Sequence, residues 1–188
     1  MIRSFIEGYR FSKAVKLFKT GNYEPSLKIF SDLSKKSAMS NYYLGIAYAY
    51  GYGCEVNFLV SNKYFKRSYE LQNKTAAFHV AYTYEKSNNW TMAEEWYINN
   101  VTNDEPRKYF RLAKLYKEKK IPEPEPGKIE SLLEMGVSKE DPAAMYLLAE
   151  FYIDNKINLD KAELLLTKSV SMGLDRASDL LKSLKGQK

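Results

Sequence analysis

The residues that could do chemistry are few, and their spacing argues against it. His79 is the sole histidine and Cys54 the sole cysteine of the 188-residue chain. A lone imidazole has no second imidazole with which to hold a metal. No Ser or Cys stands where His79 would activate a nucleophile, so a surface or half-buried structural role is expected. Cys54 reads as a buried, inert thiol. Gly51-Tyr-Gly53 invites comparison with a phosphate-binding loop, but it lacks the third glycine and the Lys-Ser/Thr pair and follows a helical segment instead of a strand. The glycines are better explained as turn residues at positive φ. Glu94-Glu95 and Glu140-Asp141 are adjacent in sequence, so each pair diverges on a helix or marks a helix start and cannot act as facing acids. No catalytic set, metal site or cofactor site emerges, and a non-enzyme is expected.

The elements that hold these residues repeat. Tyr42-Tyr-Leu-Gly-Ile-Ala-Tyr48 returns as Phe78-His-Val-Ala-Tyr-Thr-Tyr84, Phe110-Arg-Leu-Ala-Lys-Leu-Tyr116 and Tyr146-Leu-Leu-Ala-Glu-Phe-Tyr152, at steps of 36, 32 and 36 residues. That period belongs to repeat arrays. Within each copy the spacings of three and four place aromatic, aliphatic and small residues on one helical face. Gly45, Ala81, Ala113 and Ala149 are small where a second helix must approach closely. A second stripe follows each time: Tyr64, Phe65 and Tyr69; Ala93, Trp96 and Tyr97; Ile129, Leu132 and Leu133; Ala162, Leu165, Leu166 and Val170. Each unit is thus a helical hairpin that needs its neighbours to bury its apolar faces. The N-terminal segment carries Ala14, Leu17, Gly21-Asn-Tyr23 and the stripe Leu27, Ile29, Phe30 and Leu33, a first repeat of atypical sequence with Gly21 ending its first helix. Leu180, Leu181 and Leu184 predict a closing amphipathic helix with Lys182 and Lys185 outward.

Residues 37–73 carry Ala38, Tyr42, Leu44-Gly45, Tyr48, Gly51-Tyr-Gly53, Asn57-Phe58, Tyr64-Phe65 and Ser68. This pattern resembles the Sel-one-like repeat, a relative of the tetratricopeptide repeat. The third copy keeps Ala76, Tyr84, Trp90, Ala93 and Trp96-Tyr97 but lacks the loop glycines. The fifth keeps Ala143, Ala144, Tyr146, Leu148-Ala149, Tyr152, Lys161-Ala162 and Gly173. The fourth departs most, with Ile121-Pro-Glu-Pro-Glu-Pro-Gly127 between its helices and a second helix that looks short. The resemblance implies an interaction scaffold. The expected architecture is all-α: a right-handed superhelix, or α-α solenoid, of about five helical hairpins plus a C-terminal capping helix. The expected boundaries within a single repeat domain are 3–36 (tetratricopeptide-like), 37–73, 74–105, 106–140 and 141–177 (Sel-one-like), and 178–188 (cap).

No stretch approaches the ~20 apolar residues of a membrane span. The first ten residues lack the apolar run of a signal peptide, and one cysteine rules out a disulfide framework. Cytoplasmic residence is expected. Net charge is +6, concentrated in Arg107, Lys108, Arg111, Lys114, Lys117, Lys119 and Lys120, with Glu118 as local relief. Such a run is either a solvated helix face or a patch for an acidic partner; nucleic acid is a third, weaker reading because a continuous basic groove is missing.

Phe11, Tyr42, Phe78, Phe110 and Tyr146 form a column of aromatics up the first helices, serving either hairpin packing or a wall open to a ligand. Together with Ile46, Tyr50, Tyr82, Glu85, Arg111, Lys114, Lys117 and Glu150 they are the candidate partner-binding residues. The expected partner is a protein, with a toxin or effector bearing an acidic surface as the narrow case. A solenoid that binds a protein partner is the leading reading, with a bacterial immunity or antitoxin-type neutraliser acting by occlusion as its narrower form. A signalling or assembly adaptor and a nucleic-acid binder are the alternatives.

Overall fold

The computed structural model describes residues 2–122 and 125–186, with the side chains of 2–4 excepted. Eleven α-helices and no strand occur among the described residues, in the order α1 (Ile2–Lys19), α2 (Tyr23–Leu33), α3 (Ala38–Tyr50), α4 (Phe58–Glu70), α5 (Ala76–Lys86), α6 (Trp90–Asn99), α7 (Arg107–Lys117), α8 (Lys128–Ser138), α9 (Pro142–Asp154), α10 (Leu159–Ser171) and α11 (Arg176–Gly186). The chain divides into two compact units, residues 1–101 and 102–188.

The helix boundaries follow local chemistry. Ser37, Asn57, Asn89 and Asp141 cap α3, α4, α6 and α9, each side chain accepting a backbone N–H of the first turn, which satisfies a donor that the helix itself cannot. Pro142 opens α9, where its missing N–H is no loss. Gly21 closes α1 at φ +79° with a Schellman pattern, Asn22 N–H donating to Leu17 O at 2.9 Å. Gly51 and Gly53 stand at φ +77° and +73°, as the turn reading requires, and Gly53 has a further constraint. An added Cβ there would lie 2.5 Å from the Cβ of Tyr23, so the loop after α3 can rest on the start of α2 only if it is bare.

In residues 1–101 each helix packs on its sequence neighbours: α1 on α2, α2 on α3, α3 on α4, α4 on α5 and α5 on α6. The small residue of each repeated phrase is the point of closest approach. A Cβ on Gly45 would meet three ring carbons of Phe65 at 2.7–2.9 Å, and Phe65 is fully buried with Ala49, Ala76 and Val80 around it. Ala81 is buried completely at the equivalent place. In residues 102–188, α7 packs on α8 and α9, α9 on α10, and α11 on both α10 and α9. There Ala113 and Ala149 take the small position, both fully buried.

A set of buried hydroxyls fastens the hairpins. Ser26 donates to Ala14 O at 2.8 Å and Ser61 to Gly45 O at 2.7 Å; these are the same hydrogen bond in successive hairpins. One helical position set further along, Ser68 donates to Ala38 O at 2.8 Å and Ser169 to Pro142 O at 2.9 Å. All four serines are fully buried. Each therefore satisfies its own hydroxyl in a dry contact, worth about 1 kcal/mol per bond.

Several sequence expectations are corrected. Cys54 is half-buried instead of buried, and partial burial pushes its thiol pKa up. His79 is buried, not superficial. The helix α8, expected to be short, has 11 residues, as many as α2, α5 and α7. Ile121-to-Gly127 does lie between α7 and α8, but Glu123 and Pro124 fall outside the described residues, as do Gln187 and Lys188 of the expected cap.

Candidate functional site

The aromatic column has two fates. In residues 1–101 Tyr42 and Phe78 fill hairpins, while Phe11 both packs inward and borders a concavity of about 390 Å³ with Glu7, Asp32, Lys35 and Lys36. Phe11 on α1 lies 5.8 Å from Phe30 and 6.1 Å from Tyr43. Tyr42 on α3 meets the edges of Phe65 and His79, and its hydroxyl shares a 2.8 Å hydrogen bond with His79 Nε2. His79 is in turn stacked on Phe65 at 4.8 Å, which explains why the lone imidazole is inside. Phe78 on α5 is buried against His79 and Tyr97. Ile46 joins the Phe65 cluster. Glu85 accepts the Tyr97 hydroxyl at 3.1 Å. Tyr50 is exposed and stacks on Tyr52; Tyr82 is half-buried under Lys86.

In residues 102–188 the same column opens. Phe110, Lys114 and Lys117 recur at four and three residues along α7, and Tyr146 and Glu150 at four along α9, so all five point to one side. They enclose a concavity of about 350 Å³, completed by Glu118, Leu147 and Arg176 of α11. Lys117 pairs with Glu150 and, at 3.0 Å, with Asp154. Burial pulls this ammonium down, but the hydrogen bonds to Glu150 and Asp154 outweigh it and the pKa is raised. Burial, together with the Glu150 charge, raises the pKa of Tyr146, whose hydroxyl donates to Glu150 at 3.3 Å. Lys114 reaches Glu118 at 3.4 Å. The Arg176 guanidinium lies over Tyr146 at 4.5 Å and over Phe110 at 5.9 Å. Sequence reading did not find Arg176, because nothing in the repeat pattern says that α11 folds back beside α9.

The basic run of α7 is less bare than it looks in sequence, where Glu118 was its relief. Arg107 bridges Glu105 at 2.7 Å, and Lys117 has Glu150 and Asp154. Lys108 is 5% exposed, donates to Asn103 at 2.7 Å, and has its pKa lowered by burial. Arg111 lies over Phe110 at 5.7 Å. The cations thus point around the helix and do not form one stripe. A second concavity of about 550 Å³ lies at the C-terminal ends of α7 and α9, floored by Tyr116, Ile121, Ile129 and Phe151 and rimmed by Lys117, Lys119, Lys120 and Asp154. No group of three or more His, Cys, Asp or Glu placed to hold a metal occurs among the described residues.

Paired helices with small residues at the crossing, phrase after phrase, define an all-α solenoid of the Sel1-like repeat (SLR) fold, as the sequence pattern of residues 37–177 implied. Three solved structures share it. A Sel1 repeat protein from Oxalobacter formigenes superposes with a TM-score of 0.73 at 16% identity, over 91% of this chain and 73% of that one. A protective antigen present in uropathogenic Escherichia coli strains and displaying an SLR fold gives 0.78 at 20% identity, over 95% of this chain; the match spans only 41% of the antigen's length. The MamA RS-1 ArsTM double mutant gives 0.66 at 16% identity, over 92% and 96%. At these identities the likeness is one of fold. No protein-family model and no curated protein matches the sequence.

Proposed function

We propose that this chain is a non-catalytic module that binds a protein partner through the α7, α9 and α11 face of residues 102–188. The observation that carries this reading is the divided aromatic column. Where Tyr42 and Phe78 are taken up by packing around His79, Phe110 and Tyr146 together line an open concavity with mixed charge around it. Large aromatics and Arg are what protein interfaces use as anchors. The narrow form of the proposal is a cytoplasmic neutraliser of the immunity or antitoxin kind, which occludes a toxin or effector presenting an acidic surface; an adaptor for signalling or assembly would use the same face. Pairing of Arg107, Lys114 and Lys117 with carboxylates disfavours nucleic acid, since those cations are not free to displace counterions. No helix among the described residues is long and apolar enough to cross a membrane.

A photo-crosslinking amino acid placed at Lys114 or, separately, at Tyr50 tests the proposal in native lysate. A discrete protein adduct from position 114 and none from position 50 is expected. Adducts from position 50 alone would move the interface to residues 1–101, and no adduct at either would overturn a protein-binding role for this face.

A further inference from the structure

We propose that Arg176 is the anchor for a single Asp or Glu side chain of the partner, carried next to a large apolar residue. This inference rests on the protein-binding role of the α7, α9 and α11 face and says what that face selects. Of the three cations around the concavity, two already have carboxylates: Lys117 has Glu150 and Asp154, and Lys114 has Glu118. No carboxylate among the described residues bridges Arg176. Its guanidinium lies instead over the rings of Tyr146 and Phe110. Among the described residues, Arg176 is therefore the one cation of the lining without a carboxylate beside it.

The chemistry of that arrangement is specific. A guanidinium that lies over aromatic rings still has its N–H fork to offer to a planar, two-oxygen acceptor. The rings also hold the side chain in place, so less rotamer freedom is lost when the acceptor arrives. A carboxylate matches the one cation that has no carboxylate partner. A phosphate dianion would call for a second free cation, and Lys114 and Lys117 are already engaged. Leu147 and the two rings give the residue beside the acid an apolar seat.

The test uses side-chain and amide NMR of the full chain titrated with acetyl-Ala-Glu-Phe-Ala-amide, the same peptide with Gln for Glu, and the same with phosphoserine for Glu. The Glu peptide should shift the Arg176 Nε–Hε resonance and the Leu147 methyls, and bind about tenfold more tightly than the Gln peptide, the scale of one charge-assisted hydrogen bond. Arg176→Gln should erase that preference while leaving the amide spectrum elsewhere unchanged. Arg176→Lys should restore only part of it, because an ammonium has no planar fork. Equal binding of Glu and Gln peptides, no Arg176 shift with the Glu peptide at millimolar concentration, or an Arg176→Gln protein that keeps the preference would each overturn the anchor. Tighter binding of the phosphoserine peptide than of the Glu peptide would overturn the choice of a carboxylate. Repeating the position-114 crosslink in Arg176→Gln separates the two readings: an undiminished adduct removes the anchor and keeps the interface, whereas no adduct in the parent protein removes both.

Discussion

Gly45→Ala should destabilise residues 1–101 even though alanine is the better helix former. Two opposing terms decide the outcome. Replacing glycine inside a helix gains about 1 kcal/mol of propensity. Against this, the new Cβ would stand 2.7 Å from Cδ1 and Cε1 of Phe65 and 2.9 Å from its Cγ, far inside van der Waals contact. The ring cannot swing away, because Tyr42 meets it edge-on at 5.6 Å and His79 stacks on it at 4.8 Å. Nor can α3 back off freely while Ser61 holds the carbonyl of Gly45 at 2.7 Å. Overpacking a core of this kind costs about 1–3 kcal/mol, and the rigid surroundings put this site at the upper end, so the net loss is about 2 kcal/mol. At about 4–8 °C per kcal/mol for a unit of this size, the thermal midpoint of that unit should fall by roughly 10 °C. Gly8→Ala is the control. Gly8 lies within α1 with nothing within 4 Å of an added Cβ, so only the propensity term acts and stability should rise by about 0.5–1 kcal/mol. Urea titration of both variants, with hydrogen exchange to locate the loosening in α3 and α4, measures the contrast. Phe65→Leu in the Gly45→Ala background should recover stability through a coupling of at least about 0.5 kcal/mol. If Gly45→Ala and Gly8→Ala shift stability in the same direction, the close approach of α3 and α4 does not exist as described.

Tyr42→Phe removes the hydroxyl paired with the buried His79 imidazole and should cost about 1–3 kcal/mol in urea titration; a neutral result would mean that the pair contributes nothing. Lys156 follows α9 at φ +55°, where an L-residue is strained by about 1–2 kcal/mol, so Lys156→Gly should raise the urea midpoint despite the entropy of glycine. Burial raises the pKa of Asp141 above 3.8, against the opposing hydrogen bonds from Ala143 and Ala144. A raised carboxyl pKa means that the folded chain holds this proton more tightly than the unfolded one, so the group's contribution is most favourable at acid pH and declines as pH rises through the folded pKa. Asp141→Asn keeps the cap and should therefore gain on the parent protein at pH 7 and lose that gain near pH 3; a pH-independent difference would refute the assignment.

The helices and their pairing were legible because the phrase repeats a physical requirement. A small residue between an aliphatic and an aromatic reports a crossing, and Gly45 against Phe65 is that crossing. The serines were not legible. Ser26, Ser61, Ser68 and Ser169 look like background polarity in a chain with exposed serines throughout, and only the position of the preceding helix turns them into buried donors. The aromatic column was found but not divided, because its fate depends on neighbouring side chains: His79 and Tyr97 pack on Phe78, whereas the neighbour over Tyr146 is Arg176. Lys108 was taken with its neighbours as part of a basic run because sequence does not reveal that Asn103 folds over its ammonium.

The paired Ser26–Ala14 and Ser61–Gly45 bonds also bear on how such a chain can grow. Each hydroxyl reads a main-chain oxygen, which every residue type supplies, so the join between the two helices of a hairpin does not depend on a matched pair of side chains. In two of the hairpins without the serine, Ala93 and Ala162 stand in its place, still small and fully buried, while α8 carries Ile129 there. A duplicated hairpin would therefore arrive already able to close on itself, with only its outward aromatic and charged positions left to diversify. Copy number and surface can then vary separately: the scaffold lengthens in steps of one hairpin while recognition is rewritten at positions such as Phe110, Tyr146 and Arg176.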